Sequence, residues 1–277
     1  MLAQSAYGKS RVRLVQVQRR ADWHEVRDLT VGIQFEGQYE RSYTVGDNSD
    51  VLPTDTMKNT VYALAAKNGV HEPEQFGLLL ARHFLDRNPR LLRVRIDLTE
   101  HLWRPIARGD GEYGHAFVRP GAEARTAAIH AHRRRMLVGG GVADLLILKT
   151  EGSAFSGFPR DEFTTLPETR DRLLATSLTT AWRYSRTEMD FRSAWHAVRQ
   201  TLLDTFAEHR SESVQHTLYA MGQAVLDRFE DVTAIRLTMP NKHHLPVDLR
   251  PFGLENRNEI FVPTEEPFGL IEATLVR

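Results

Sequence analysis

The sequence predicts an α+β fold made of two similar halves, each an antiparallel sheet carrying a pair of helices on one face. Three observations lead there. Residues 93–98, Arg-Val-Arg-Ile-Asp-Leu, and residues 234–239, Ala-Ile-Arg-Leu-Thr-Met, both alternate with the period of a strand. Each is preceded by two stretches in which apolar residues recur with helical period. Each of those helical pairs is in turn preceded by strand-like runs. The order strand pair, helix pair, strand pair thus occurs twice, once in residues 1–141 and once in residues 142–277.

The elements follow in order. Arg11 to Val17 is rich in β-branched residues and reads as a strand, with a polar turn at Arg19 to His24 leading to a second strand at Leu29 to Phe35. Tyr39 to Val45 reads as a further strand. The period then changes: Met57, Val61, Leu64 and Ala65 share one helical face, Thr54 or Asp55 is suited to cap its start, and Gly69 to follow its end. Pro73 opens a second helix through Phe76, Leu79, Leu80, His83 and Phe84. Strands return at residues 93–98 and in extended segments up to Thr150. In the second half, Leu145 to Leu148 and Ser177 to Tyr184 read as strands. One helix carries Phe191, Ala194, Trp195, Val198, Leu202 and Phe206, and the next carries Val214, Leu218, Met221 and Val225. Half-sheets of this kind leave open edges, which must be covered or paired, so self-association is expected.

Composition narrows the function. Lys plus Arg number 36 and Asp plus Glu 36, so no net field favours nucleic acid or an anionic membrane. With no cysteine, disulfides, thiolate catalysis and thiolate zinc sites are excluded. No window approaches the ~20 apolar residues of a membrane span. Met1 to Lys9 lacks a signal-peptide core, and Leu275-Val276-Arg277 is not a Ser-Lys-Leu tail, so a cytoplasmic location is expected.

Four stretches carry a specific pattern: Tyr7-Gly8-Lys9, then the run from Thr54 to Thr60 (Thr-Asp-Thr-Met-Lys-Asn-Thr), then Gly157 to Arg172, and Met239-Pro240-Asn241-Lys242-His243-His244 continuing to Phe252-Gly253-Leu254. Ser213-Val214-Gln215 is a smaller match. In this order, on this element pattern, the chain resembles the urate oxidases from Tyr7 to about Leu275. The resemblance implies tandem tunnelling-fold halves that assemble into a multi-subunit β-barrel, a homotetramer with sites at subunit interfaces. It implies urate and dioxygen as reactants, 5-hydroxyisourate and hydrogen peroxide as products, and no cofactor.

The residues suit that chemistry. Urate is a flat purine anion, and an aromatic face such as Phe155 stacks on it for about 0.5–1.5 kcal/mol beyond burial. By resemblance, Arg172 and Gln215 grip the purine edges, helped by backbone groups at Val214, where a helix start favours anions. Taken alone, Arg172 is more commonly a surface salt bridge with Asp171 or Glu168. Leu166 resembles an apolar wall, and Asp55 an anchor through backbone or carboxylate. Lys9, Thr54 and His243 resemble a proton-handling set, in which a neutral Lys9 takes a proton through the Thr54 hydroxyl and His243 relays protons or orients a water. Asn241, with Thr54, is expected to hold dioxygen or its successor water. The resemblance draws the Lys–Thr–Asp group and the Phe–Arg–Gln–Asn–His group from different subunits. Pro159, Phe163 and His244 stand where the pattern varies.

Other readings compete. His243-His244 and His130-x-His132 suggest a metal-dependent enzyme, but no carboxylate cluster or HExxH supports them. A purine- or pterin-acting tunnelling-fold enzyme of another class would ordinarily use zinc and a catalytic cysteine. His132-Arg133-Arg134-Arg135 is a short basic run without a stacking platform and weak as a nucleic-acid signal.

Overall fold

The computed structural model describes residues 2–277. Its chain order is β1 (Tyr7–Arg19), β2 (His24–Gly37), α1 (Glu40–Thr44), α2 (Thr54–Asn68), α3 (Pro73–Arg87), β3 (Leu91–His101), β4 (Arg104–Arg108), β5 (Gly111–Val118) and β6 (Ala124–His132). Then follow β7 (Arg135–Lys149), β8 (Leu174–Tyr184), α4 (Phe191–Glu208), α5 (Val214–Arg228), β9 (Val232–Lys242), β10 (His244–Pro246), β11 (Phe261–Pro263) and β12 (Gly269–Val276). The chain divides into two compact units, Met1–Val142 with Ala181–Trp195, and Ala143–Thr180 with His196–Arg277.

In the first unit the strands lie in the order β1-β2-β3-β6, with β1–β2, β2–β3 and β3–β6 antiparallel. The second unit holds residues 143–149 of β7 and 174–180 of β8, followed in strand order by β9 and β12, which are antiparallel. The first unit packs α2 on β1 and α3 on β3 and β6; the second packs α5 on β9 and β12. The repeat read from the sequence is therefore present as an equivalent stacking of a helix on the last two strands of each unit. One core holds Leu29, Val31, Phe35, Met57, Val61, Leu80, Phe84, Ile96 and Ile129; the other holds Leu178, Leu202, Leu218, Met221, Val225, Ile235 and Leu237, all buried. Apart from Ile129, these lie in the segments that alternation and helical period single out.

Two readings need correction. Tyr39 to Val45 contains no strand: residues 40–44 form the short helix α1, and Tyr39 is buried against Tyr7 at 4.9 Å between ring centroids. The alternation over so short a run fits either structure, and the Tyr39 contact decides it. At the start of α2 neither Thr54 nor Asp55 is the cap; Pro53 stands there and makes no side-chain capping bond. Gly69 does follow the end of α2, at φ 72°.

Candidate active site

Lys9, Thr54 and Asp55 belong to the first unit, where the sequence around Tyr7 binds two elements together. A Cβ at Gly8 would collide with the Ile33 carbonyl, so glycine is what lets β1 lie this close to β2. Just beyond Lys9 the register slips: Lys9 pairs with Ile33 and Val12 with Val31, and Arg11 takes φ 57°. A bulge with a non-glycine residue in the left-handed region is a strained feature of the kind that re-aims side chains at sites. The Tyr7 hydroxyl accepts from Leu52 N at 3.1 Å, fixing the segment that leads into α2 against β1. Thr54 is the first residue of that helix.

The first intrahelical bond of α2 runs from Met57 N to Pro53 O, so the N–H groups of Thr54, Asp55 and Thr56 precede the ladder. The Asp55 carboxylate is already engaged. It accepts from Lys58 Nζ at 2.5 Å and Asn59 Nδ2 at 3.0 Å. The Lys58 bond and charge hold the Asp55 carboxyl below the ordinary carboxylate range, and the charge of Lys9 adds to them. Each Asp55 carboxylate oxygen thus carries one bond, while its backbone N–H precedes the helical ladder.

The other seven candidates lie in the second unit. Phe155 and Arg172 are set by a short ladder: Phe155 N donates to Thr169 O at 2.8 Å, Thr169 N to Phe155 O at 3.0 Å, and Arg172 N to Ser153 O at 2.8 Å. Asp171 accepts from Gly152 N at 2.9 Å and Glu168 from Gly157 N at 3.1 Å. Both acids are thus spent on the loop's own backbone. Arg172 forms no salt bridge with them, contrary to the simple surface-pair reading. Its guanidinium lies 5.3 Å from the centre of the Phe155 ring, and its Nε is buried without a hydrogen-bond partner. Burial lowers the Arg172 pKa, but guanidinium keeps its charge in proteins. Phe158 stacks on Phe155 at 4.9 Å and 14°, which fixes the plane of the ring.

The start of α5 is tied to the same loop. Ala154 N donates to Ser211 O at 2.7 Å and Ser211 N to Gly152 O at 2.9 Å, with Ser211 wholly buried. Ser213 caps α5, its Oγ accepting from His216 N at 3.1 Å, and the first helical bond runs from Thr217 N to Ser213 O at 3.2 Å. The cap leaves the N–H groups of Val214 and Gln215 outside the ladder, at the positive end of the helix. The Val214 side chain is buried and the Gln215 side chain exposed.

Asn241 sits near the end of β9, paired with Gly269 of β12, and the His243 carbonyl accepts from Thr264 N at 2.9 Å. Among the described residues no hydrogen bond or ring contact joins Asn241 or His243 to Phe155, Arg172 or Gln215. Leu166 is 51% exposed and Phe163 81% exposed, so neither is walled in by its own chain. Among the described residues no group of three or more His, Asp or Glu is placed to hold a metal ion, which leaves both His pairs without further ligands. Among the described residues no helix is long and apolar enough to cross a membrane. The supports to which the sequence assigns no role are Ser153 and Ser211, outside the motifs, and Phe158, Lys58 and Asn59, within them. Of these only Lys58 and Asn59 carry a local signal, the spacing i+3 and i+4 from Asp55.

The model of the uricase family matches residues 5–130 and 138–272. A uricase of Arthrobacter globiformis is 43% identical over 277 residues, covering all of this chain and 90% of the relative. One of Danio rerio is 36% identical, covering 99% and 94%. The crystal structure of the Arthrobacter globiformis uricase superposes with a TM-score of 0.95, covering 100% of this chain and 95% of that one. A hyperthermostable mutant of the Bacillus sp. TB-90 urate oxidase gives 0.85 at 25% identity, covering 99% of each chain. On the match along nearly its whole length, by sequence and by structure, the chain belongs to the uricase family.

Proposed function

We propose that this chain is a urate oxidase that converts urate, dioxygen and water to 5-hydroxyisourate and hydrogen peroxide, in a homotetramer whose sites lie between subunits. The observation that carries the substrate assignment is Arg172. It is a half-buried guanidinium against an aromatic ring, with its acidic neighbours engaged elsewhere and the unbonded N–H groups of a helix start tied to the same loop. That set matches a flat anion with acceptors on its edge.

In this reading Phe155 stacks on the purine, Arg172 and Gln215 grip its edges with Val214 N–H, and Leu166 closes the pocket. Asp55 and Thr54 meet the opposite edge from another subunit. Urate gives a proton to the Thr54 hydroxyl, which passes its own to the Lys9 amine, while His243 exchanges protons with that pair. The resulting dianion is electron-rich. It transfers two electrons singly to dioxygen held at Asn241 and Thr54, and the oxygen leaves as peroxide after taking up two protons. Water then adds to the oxidised purine at the same position. No step calls on flavin, haem or metal.

Binding and chemistry separate in one experiment. Under anaerobic conditions urate titrated into the Arg172→Met variant should bind at least about tenfold more weakly than to the unaltered chain, the loss of a charge-assisted bond. Lys9→Met should bind urate with little change yet turn over at least about 10²-fold more slowly once oxygen is admitted. Full turnover in Lys9→Met would remove the proton-relay role, and unaltered affinity in Arg172→Met would remove the pincer.

A further inference from the structure

Of the run Thr54 to Thr60, the proposed reaction uses only Thr54 and Asp55, yet the structure gives Lys58 and Asn59 a definite task. Helical spacing places both above Asp55, and each takes a different carboxylate oxygen: Lys58 Nζ on Oδ1 at 2.5 Å, Asn59 Nδ2 on Oδ2 at 3.0 Å. The same carboxylate feels the charge of Lys9 across from β1. The charged and titratable groups that bear on this corner are Lys9 from β1 and Asp55, Lys58 and Tyr62 from α2. Lys58 thus holds the carboxylate by an ion pair while Lys9 reaches it by charge alone, and that division matters for proton transfer. A lysine paired with a carboxylate is held in its charged form and cannot accept a proton. In the structure Asp55 sides with Lys58.

We infer that Lys58, assisted by Asn59, is a positioning residue that occupies the Asp55 carboxylate and so keeps Lys9 available to take the proton from Thr54. It touches neither substrate nor oxygen; it acts through Asp55. The same two bonds brace the first turn of α2, whose backbone N–H groups face outward from the helix start. The inference rests on the urate-oxidation reading of this site.

The test compares the pH dependence of kcat/KM for urate oxidation in the unaltered chain, Lys58→Met, Lys58→Arg and the double variant Lys58→Met/Asp55→Asn. With Lys58 gone, Asp55 turns to Lys9, so the acidic limb of Lys58→Met should move to higher pH by about half to one unit. Activity at neutral pH should then fall about 3- to 10-fold and recover toward the unaltered value as pH rises. Lys58→Arg should restore the profile, and the double variant, with no carboxylate to misdirect, should lose the shift. A fall of equal size at every pH would mark a purely structural role and overturn the inference, as would an unmoved profile. Should Lys58→Met fail to assemble, Asn59→Ala carries the test, with a smaller shift in the same direction expected and its absence counting against the idea. An unaltered chain that does not consume urate at all would sink the underlying reading instead.

Discussion

A guanidinium that is half-buried and unpaired is an expensive thing to keep in a folded chain, which is why Arg172 reads as a binding group rather than a stabilising one. Its replacement by methionine should leave folding stability within about 1 kcal/mol, because no ion pair is lost. Urate KM should rise by about one to two orders of magnitude. Thermal denaturation beside steady-state kinetics checks both; a large fall in stability with KM unmoved would make Arg172 structural. At this scale the motifs named the candidate site residues through resemblance, whereas physical reading of the residues alone left Arg172 ambiguous. Sequence adjacency to Asp171 and proximity to Glu168 favour a salt bridge, and only the fold shows both acids turned to Gly152 N and Gly157 N. The engagement of Asp55 was legible in principle, since donors at i+3 and i+4 on a helix reach back to an acid.

At the scale of elements, the proposed site depends on how α5 begins. Ser213 supplies the cap, and the Ser153–Ser211 bridge holds that cap to the loop bearing Phe155 and Arg172. Ser213→Ala should cost about 1 kcal/mol of stability. It should also raise KM more than it lowers kcat, because the N–H groups of Val214 and Gln215 lose their fixed aim. An unchanged KM in that variant would show that the helix start does not meet the substrate. Periodicity revealed α2 to α5 well because each has an apolar face over at least four turns. It failed at Tyr39 to Val45, where seven residues are too few to separate the two periods and a buried tyrosine contact sets the structure. The capping expectation at Thr54 failed because Pro53 occupies that position. Thr54 is thereby left inside the first turn with its hydroxyl uncommitted to the helix.

At the scale of the molecule, two properties follow that no local pattern shows. The first unit buries a charge network in which Arg125, 3% exposed, donates to Glu72 and Glu74 at 2.5 and 2.6 Å, and Arg27 donates to Glu100 at 2.6 Å. Evenly scattered charges in the sequence give no hint of it, because it is assembled from β2, α3, β3 and β6. Burial pushes Glu74 up to about 7, against the pull of Arg125. A carboxyl whose folded value is raised is stabilising while protonated. Its contribution is therefore present below the unfolded value near 4.5 and is lost as pH rises toward 7. Glu74→Gln should thus gain stability relative to the unaltered chain between pH 5 and pH 8; a constant gap in Tm across that range would refute the shift. The second concerns the proposed assembly. If Lys9 and Arg172 serve one site from different subunits, co-expressing Lys9→Met with Arg172→Met should restore activity that neither has alone, since mixed tetramers contain some intact sites.

The most direct measurement follows urate absorbance, dissolved oxygen and peroxide together in chelator-treated protein. Equal consumption of urate and oxygen, with one peroxide formed per urate and no demand for added metal or flavin, is the predicted result. Urate bound but not consumed, or turnover that returns only when a metal is restored, would contradict cofactor-independent oxidation at this site.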